Sequence, residues 1–131
     1  MNYLVDTNVV AEFVRPRPDT TVMAWVNTLD RFAVSVITLE EVFFGLAARP
    51  HPKVEAFLDG FFARYCEVLP VTDAVARQAG KLRGQFKAAG ITRSQADMLI
   101  AATAASRGLT VATRNEKDFQ GCGVPVLNPF R

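Results

Sequence analysis

Short runs of apolar residues alternate along this chain with longer segments in which apolar residues recur every three or four positions. Short runs are typical of buried strands, and the longer spacing is typical of amphipathic helices. The predicted strands are the run that ends at Asp6 and residues 32–37, 66–71, 110–112 and 124–127. The predicted helices cover residues 9–14, 20–29, 39–48, 54–65, 73–89 and 94–107.

This alternation of strands and helices has a consequence for the fold class. Parallel strands need long crossover connections, which helices supply, so the pattern predicts an α/β fold. We expect a three-layer domain with a mostly parallel central sheet of four to five strands and helices on both faces. A chain of 131 residues is long enough to bury a core without disulfides, and residues 1–131 are predicted to form a single domain.

The amino-acid composition limits the classes of protein to which this chain can belong. Half of the residues are hydrophobic and 21% are charged, a balance that excludes a disordered or fibrous chain. The formal charge of +2 permits nucleic-acid binding without requiring it. Only Cys66, Cys122 and His51 offer sulfur or imidazole ligands, and their spacing does not fit a zinc site. With no signal-peptide pattern and no apolar run of membrane-spanning length, we expect a cytoplasmic protein with buried, reduced cysteines.

Acidic residues mark several predicted element boundaries. Asp6 follows the first strand, and three further segments place an acid three positions after a capping residue: 38–41, 94–97 and 115–118. Each of these segments fits a capping box at a helix N-terminus, and Asp6 or Asn8 fits a simple N-cap. For any single acid, helix capping worth about 1 kcal/mol is a sufficient explanation.

The positions of the acids support a second interpretation. Asp6, Glu41 and Asp118 each come shortly after a predicted strand, which places them at the carboxyl edge of the sheet, where α/β proteins bind ligands. Asp97 begins the most apolar helix and must face a polar feature. If all four converge, two carboxylates 4 Å apart repel by about 4 kcal/mol at an effective dielectric of 20. A divalent cation relieves this repulsion, and an all-oxygen donor set selects Mg²⁺ or Mn²⁺.

Four segments occur in the order found in one known family. They resemble the PIN-domain ribonucleases, and most closely the VapC-type toxins of bacterial type II toxin–antitoxin systems. The resemblance covers essentially the whole chain, including its ending at 126–130. The segments are Leu4-Val5-Asp6-Thr7-Asn8, the stretch 35–42 with Gly45, Asp97-Met98-Leu99-Ile100-Ala101-Ala102-Thr103-Ala104, and Thr113-Arg114-Asn115-Glu116-Lys117-Asp118-Phe119.

The resemblance implies a three-layer PIN-like fold and a set of site residues. It implies that the catalytic, metal-binding acids are Asp6, Glu41, Asp97 and Asp118. All four acids are present, so the chain does not resemble a degenerate enzyme. Glu40 is a complication because it adjoins Glu41, where many relatives have a small or apolar residue. The supporting polar residues that the resemblance implies are Asn8, Thr113 and Asn115.

The resemblance implies a Mg²⁺-dependent endoribonuclease that hydrolyses RNA phosphodiester bonds and in which Mn²⁺ can replace Mg²⁺. It also implies that the chain is a toxin, which a small cognate antitoxin neutralises. A homodimer is also implied, with no membrane contact and with DNA bound only through the antitoxin. Exposed phenylalanines on neighbouring helices would mark such partner surfaces. RNA approaching an acidic site requires a basic rim, for which Arg93 and Arg114 are the best candidates. The wider set of candidates adds Arg15, Arg17, Lys81, Arg83 and Lys87.

Two alternative functions remain at this stage. The first is a PIN-fold binding module that acts mainly within a toxin–antitoxin DNA-binding repressor complex. The second is an aspartyl-phosphate phosphotransferase or receiver, which also places an acid after the first strand. This second class is disfavoured because phosphatases of that type have an aspartate two residues after the nucleophile, where this chain has Asn8.

Overall fold

Strands and helices alternate along the chain in a computed structural model that describes all 131 residues. The strands are β1 (Tyr3–Val5), β2 (Phe32–Ser35), β3 (Cys66–Leu69), β4 (Thr110–Ala112) and β5 (Val126–Leu127). The helices are α1 (Thr7–Glu12), α2 (Thr20–Val26), α3 (Val36–Ala48), α4 (Pro52–Tyr65), α5 (Asp73–Ala88) and α6 (Gln95–Arg107). A short 3₁₀ helix, Glu116–Phe119, precedes β5.

The five strands form one parallel sheet in the order β3-β2-β1-β4-β5. Leu4 of β1 pairs with Ala33 on one side and with Val111 on the other. The chain adds strands on one side of β1 until β3, and then crosses to the other side with β4. A crevice is expected outside the carboxyl ends of strands where the winding direction reverses, which here lies between β1 and β4.

Two hydrophobic cores lie on opposite faces of this sheet. One contains Val75 of α5 together with Met98 and Ile100 of α6. The other contains Val9 of α1, and also residues of α2 and α4 such as Leu58. Helices therefore cover both faces, which confirms the predicted three-layer α/β fold with a parallel sheet.

The second strand is shorter than predicted. Residues 32–37 were expected to be extended, but β2 ends at Ser35 and α3 begins at Val36. The Ser35 hydroxyl oxygen caps α3 by accepting a hydrogen bond from the Ile37 amide at 3.0 Å. A continuous apolar run does not separate a strand from a buried helix, so its periodicity could not locate this boundary. Glu41 consequently lies in the second turn of α3, and the capping box predicted at 38–41 is wrong.

The other two predicted capping boxes have different outcomes. Ser94 caps α6 by accepting a hydrogen bond from the Asp97 amide at 3.0 Å, as the sequence predicts. Asn115 makes no side-chain cap, and only the single 3₁₀ turn follows it. That box is therefore wrong, and capping does not explain Asp118.

Cys66 and Cys122 are free thiols, and both are buried, as predicted. Burial raises the pKa of the Cys66 thiol to about 12. None of the helices combines the length and the apolar character that a membrane crossing requires.

Candidate active site at the carboxyl edge of the sheet

Asp6 occupies the end of the central strand and is almost fully buried, with 5% of its surface exposed. Its backbone amide continues the sheet by donating to the carbonyl of Ala112 at 2.9 Å. Its carboxylate oxygen Oδ1 accepts a hydrogen bond from the Thr7 amide at 2.8 Å, which caps α1. The same side chain therefore caps a helix and stands at the mouth of the β1–β4 crevice.

A polar network fixes the second oxygen of Asp6. The buried Thr113 hydroxyl donates to Oδ2 at 2.8 Å, and the side-chain amide of Asn8 donates to the same oxygen at 3.2 Å. Asn8 also accepts from the backbone amide of Arg114 at 3.1 Å, which joins α1 to the end of β4. The backbone amide of Asn115 donates to the Thr113 hydroxyl at 3.0 Å. Two of the three predicted polar residues thus act through their side chains, and Asn115 through its backbone.

Glu41 reaches the same edge from α3. The Thr7 hydroxyl donates to Glu41 Oε1 at 2.7 Å and lies 3.1 Å from the Thr38 hydroxyl. Because the Thr7 amide also binds Asp6, this one residue connects two of the four predicted acids. Glu40 is exposed and makes no hydrogen bond through its side chain, so the contacts favour Glu41.

Asp97 and Asp118 complete the acidic group from the far side of the crevice. Asp97 lies in the first turn of α6 and is partly buried, whereas Asp118 lies in the 3₁₀ turn and is exposed. The negative charge of Asp118 raises the pKa of Asp97, and so does that of Glu41. Asp97 therefore interacts with both Glu41 and Asp118. Asp6 in turn is affected by the charges of Asp97 and Glu41.

The acid at the centre of the group has the strongest perturbation. Burial raises the pKa of the Asp6 carboxyl to about 6, with further increases from the charges of Asp97 and Glu41. Hydrogen bonds from the Thr113 hydroxyl and the Thr7 amide oppose this increase. Desolvation is also the main cause of the raised pKa of Asp97, while the Ser94 hydrogen bond and the Arg93 charge oppose it. Shifts of this kind cluster at functional sites.

The donor chemistry of the group fits a hard cation. Its donors are carboxylate and hydroxyl oxygens, without sulfur or imidazole. No three Asp, Glu, His or Cys side chains lie close enough together to hold a metal ion between them. Mg²⁺ rarely uses an all-protein cage, because it keeps several waters and binds through one or two carboxylates. The arrangement therefore fits a hydrated Mg²⁺ better than a fully dehydrated ion.

Arg93, predicted to contact RNA, holds the Asp118 segment in place. Its guanidinium donates to the backbone carbonyl of Asp118 and, at 2.9 Å, to that of Gln120. It also lies 4.2 Å from the ring centre of Phe86 on α5. Arg93 therefore connects α5, the start of α6 and the last acidic segment, a role that the sequence did not suggest.

Replacing Arg93 with glutamine should release the Asp118 segment. Hydrogen bonds from a charged donor contribute about 1.5–3 kcal/mol each, so we expect a loss of about 2 kcal/mol in the free energy of unfolding. Amide hydrogen exchange should become faster at residues 118–122 than in the rest of the chain. Arg107→Gln, at the C-terminal end of α6, is the control, because its exposed ion pair with Glu67 should contribute less than about 1 kcal/mol. Equal exchange rates at 118–122 in the two variants would contradict this role.

Arg114, the other predicted RNA contact, is exposed beside the site. Its guanidinium lies 4.1 Å from the ring centre of Phe130, and its side chain forms no ion pair. Both positions remain predictions as RNA contacts, and Arg114 retains more free donors than Arg93.

An apolar cleft of about 390 Å³ lies away from the acidic group, on the opposite face of the sheet from α5 and α6. Its walls include Phe13, Phe57, Phe61 and Tyr65, whose rings form one contact cluster. Phe57 and Tyr65 are 51% and 43% exposed. Phe44 on α3 is 69% exposed. These surfaces have the apolar character expected of partner contacts.

Sequence reasoning missed Thr7, which donates to Glu41, and Thr38, whose hydroxyl lies beside that of Thr7. Thr7 directly follows Asp6, so the motif contained the signal, but only the fold brings its hydroxyl to α3. It also missed buried Glu12, which binds Arg15 and the Asp19 amide and thereby joins α1 to the start of α2. Glu12 lies outside the acidic group and has a structural role.

Comparison with known proteins identifies a family and several similar proteins. The PIN domain family matches residues 3–121. The chain is 36% identical to VapC ribonuclease Y4jK of Sinorhizobium fredii, over 97% of this chain and 96% of that protein. It is 35% identical to toxin FitB of Neisseria gonorrhoeae, over 97% of each. The structure of DNA-bound VapBC from Salmonella typhimurium superimposes with a TM-score of 0.83 at 28% identity, over 98% of each chain.

Proposed function

Because the chain belongs to the PIN-domain family, we propose that it is a ribonuclease toxin that a cognate antitoxin neutralises. Relatives matched over nearly the full length are a ribonuclease and a toxin. The observation that supports the proposal is the buried Asp6 carboxylate at the carboxyl end of β1, which Thr7 connects to Glu41 and which the charge of Asp97 affects. Phosphodiester hydrolysis at an anionic site of this kind is the expected chemistry of a metal-assisted nuclease.

The proposal includes Mg²⁺ as the cofactor, with Mn²⁺ as a substitute. Asp6 and Asp97 would bind it directly, and Glu41 and Asp118 would bind through water or as ligands of a second ion. A bound divalent ion supplies an activated water at neutral pH and stabilises the charge that develops on the phosphate oxygens. The protein's own contribution is to hold its carboxylates at fixed positions.

The hydrogen bonds around Asp6 explain how that position is fixed. The Thr7 amide, the Thr113 hydroxyl and the Asn8 amide all donate to its two oxygens. Such donors around a ligating carboxylate set its orientation, and losing one typically reduces metal affinity or activity by 10–100-fold. Thr7 does the same for Glu41. Asp118 is the least constrained acid, because Arg93 holds only its backbone.

Metal removal tests the catalytic part of the proposal. The purified chain should cleave total bacterial RNA when Mg²⁺ is present. Cleavage should stop in excess chelator and resume when Mg²⁺ or Mn²⁺ is added back. Cleavage is measured by mapping new RNA ends. Undiminished cleavage in chelator would contradict the metal requirement. Absence of cleavage under all metal conditions would contradict the nuclease assignment.

The apolar surfaces support the partner part of the proposal. We infer that the antitoxin covers the cleft around Phe57 and Tyr65 and extends a basic side chain toward the acidic group. We also infer that a second copy of the chain packs on another apolar surface, making a homodimer. Light scattering of the purified chain at micromolar concentration should give the mass of a dimer, and a monomer would contradict this.

A second candidate function is a binding module in a repressor complex. The DNA-bound VapBC structure favours it, since a similar chain is part of a DNA complex there. In this role the antitoxin would contact the DNA. Asp6→Asn separates the two functions, because it should remove RNA cleavage while the variant still assembles with the antitoxin and binds the operator through it.

A further inference from the structure

A polar cleft that includes Arg93 lies beside the acidic group. It has a volume of about 420 Å³ and is formed by α5, the following turn and the start of α6. Three of its six lining residues are cationic and only one is hydrophobic. The lining residues are Arg83, Lys87, Ile91, Thr92, Arg93 and Gln95.

No ion pair within the protein neutralises the positive charge of this basic cleft. Its lining contains no carboxylate, and all four ion pairs of the structure lie elsewhere. Arg83 and Lys87 are four residues apart on α5, so they project from the same helix face. Arg93 donates to neutral carbonyls, which orient its guanidinium without cancelling its charge. Three cations facing one cleft repel one another, which favours an anionic occupant.

The basic cleft and the acidic group meet at Arg93, which lines the cleft and donates to the backbone carbonyl of Asp118. Gln95 of the cleft and Asp97 of the acidic group both lie in the first turn of α6, on different faces of the helix. Arg93 is close enough for its charge to lower the pKa of Asp97. An extended polyanion that reaches the acidic group can therefore continue directly into the basic cleft.

We propose that this basic cleft binds the phosphodiester backbone of the RNA strand beside the cleaved bond. The inference rests on the proposed ribonuclease function and adds a substrate-binding site to it. Lys87 and Arg83 neutralise phosphate charge, and the Thr92 hydroxyl and Gln95 amide supply neutral donors. Since these contacts are to phosphate and not to base edges, the cleft contributes affinity and register, with little sequence selectivity.

The test uses the double variant Arg83→Gln/Lys87→Gln. Both side chains are exposed and neither forms an ion pair, so the fold should be retained. Arg93 is left intact because it also holds the Asp118 segment. The matched control is Lys53→Gln/Arg64→Gln, which removes the same charge from exposed positions on α4, across the sheet.

Two measurements are made on each of these proteins. With total bacterial RNA and Mg²⁺, the cleft variant should show an apparent KM raised about tenfold with kcat unchanged, since phosphate contacts bind substrate and transition state alike. In chelator, with Asp6→Asn added to all proteins, binding of the same RNA is measured against salt. Each lost contact to a single strand should reduce the logarithmic salt slope by about 0.7, so the cleft variant should lose about 1.4.

The outcomes separate this inference from the function on which it rests. If the unmodified chain cleaves no RNA with Mg²⁺, the proposed function fails and the inference fails with it. If that chain cleaves and the cleft variant keeps its KM and salt slope, only the cleft assignment is wrong. An equal rise in KM and an equal decrease in salt slope in the α4 control would also overturn the inference, because both would then reflect a general charge effect. Unchanged RNA cleavage with weakened antitoxin binding would overturn it in favour of an acidic protein segment.

Discussion

Asp6→Asn should abolish RNA cleavage while leaving the fold intact. We expect activity with Mg²⁺ to fall by at least about 100-fold, since losing even an outer partner of a metal ligand reduces affinity or activity by 10–100-fold. Asparagine has the same size and retains an oxygen for the Thr7 amide. It lacks the negative charge that a hard cation requires. The rate of appearance of cleaved ends in total bacterial RNA is the measurement, with the fold checked by circular dichroism.

Asp59→Asn is the matched control for this prediction. Asp59 is an exposed residue of α4, which lies on the other face of the sheet from α6, and its substitution makes the same change of charge. This variant should cleave RNA at the rate of the unmodified chain. Full activity of Asp6→Asn would remove the central acid from the mechanism and leave helix capping as its only role.

Much of the fold could be predicted because its signals are local. The alternation of apolar runs with helical spacing gave the parallel three-layer architecture, and the PIN-domain assignment is confirmed. The errors are at boundaries, where local signals compete. Residues 36–37 continue the apolar run of β2, but the Ser35 hydroxyl caps the Ile37 amide, and α3 begins there.

The site could be predicted in part, because it depends on both local and long-range contacts. The acids could be chosen by their position after strands and by the family resemblance. Their assignment as metal ligands stays a prediction. The connection between Asp6 and Glu41 through Thr7 spans 34 residues from Thr7 to Glu41, and sequence spacing carries no information about it. The role of Arg93 could not be predicted for the same reason, because its hydrogen-bond partners lie 25 and 27 residues away along the chain.

Capping and catalysis are not alternatives at Asp6. One oxygen satisfies the first amide of α1, and the other receives the Thr113 and Asn8 donors at the end of β4. The cap therefore fixes the orientation of the side chain at the crevice. Because the Asp6 side chain is also buried, its charge is unfavourable unless a cation is bound.

Without metal, this arrangement should make the protein less stable as the pH rises. The pKa of Asp6 is about 6 in the folded chain and near 3.8 when unfolded, so the folded state binds the proton more tightly. The contribution of Asp6 to the free energy of unfolding is fully present below pH 4 and is lost as the pH rises to about 6. At 1.36 kcal/mol per pKa unit, the loss is about 3 kcal/mol. Asp97 contributes with the same sign, because its pKa is also raised.

Urea unfolding in chelator from pH 4 to 8 measures this effect. The free energy of unfolding of the unmodified chain, relative to Asp6→Asn, should fall between pH 4 and 6 and then stay constant. Asp97 is present in both proteins, so the difference between them reports Asp6 together with its interaction with Asp97. Excess Mg²⁺ should reverse the loss in the unmodified chain only, since an ion at 100 times its Kd stabilises the folded state by about 2.7 kcal/mol. Parallel pH profiles in chelator would show that ionised Asp6 is tolerated without a cation, and the case for a metal at this edge would lose its physical basis.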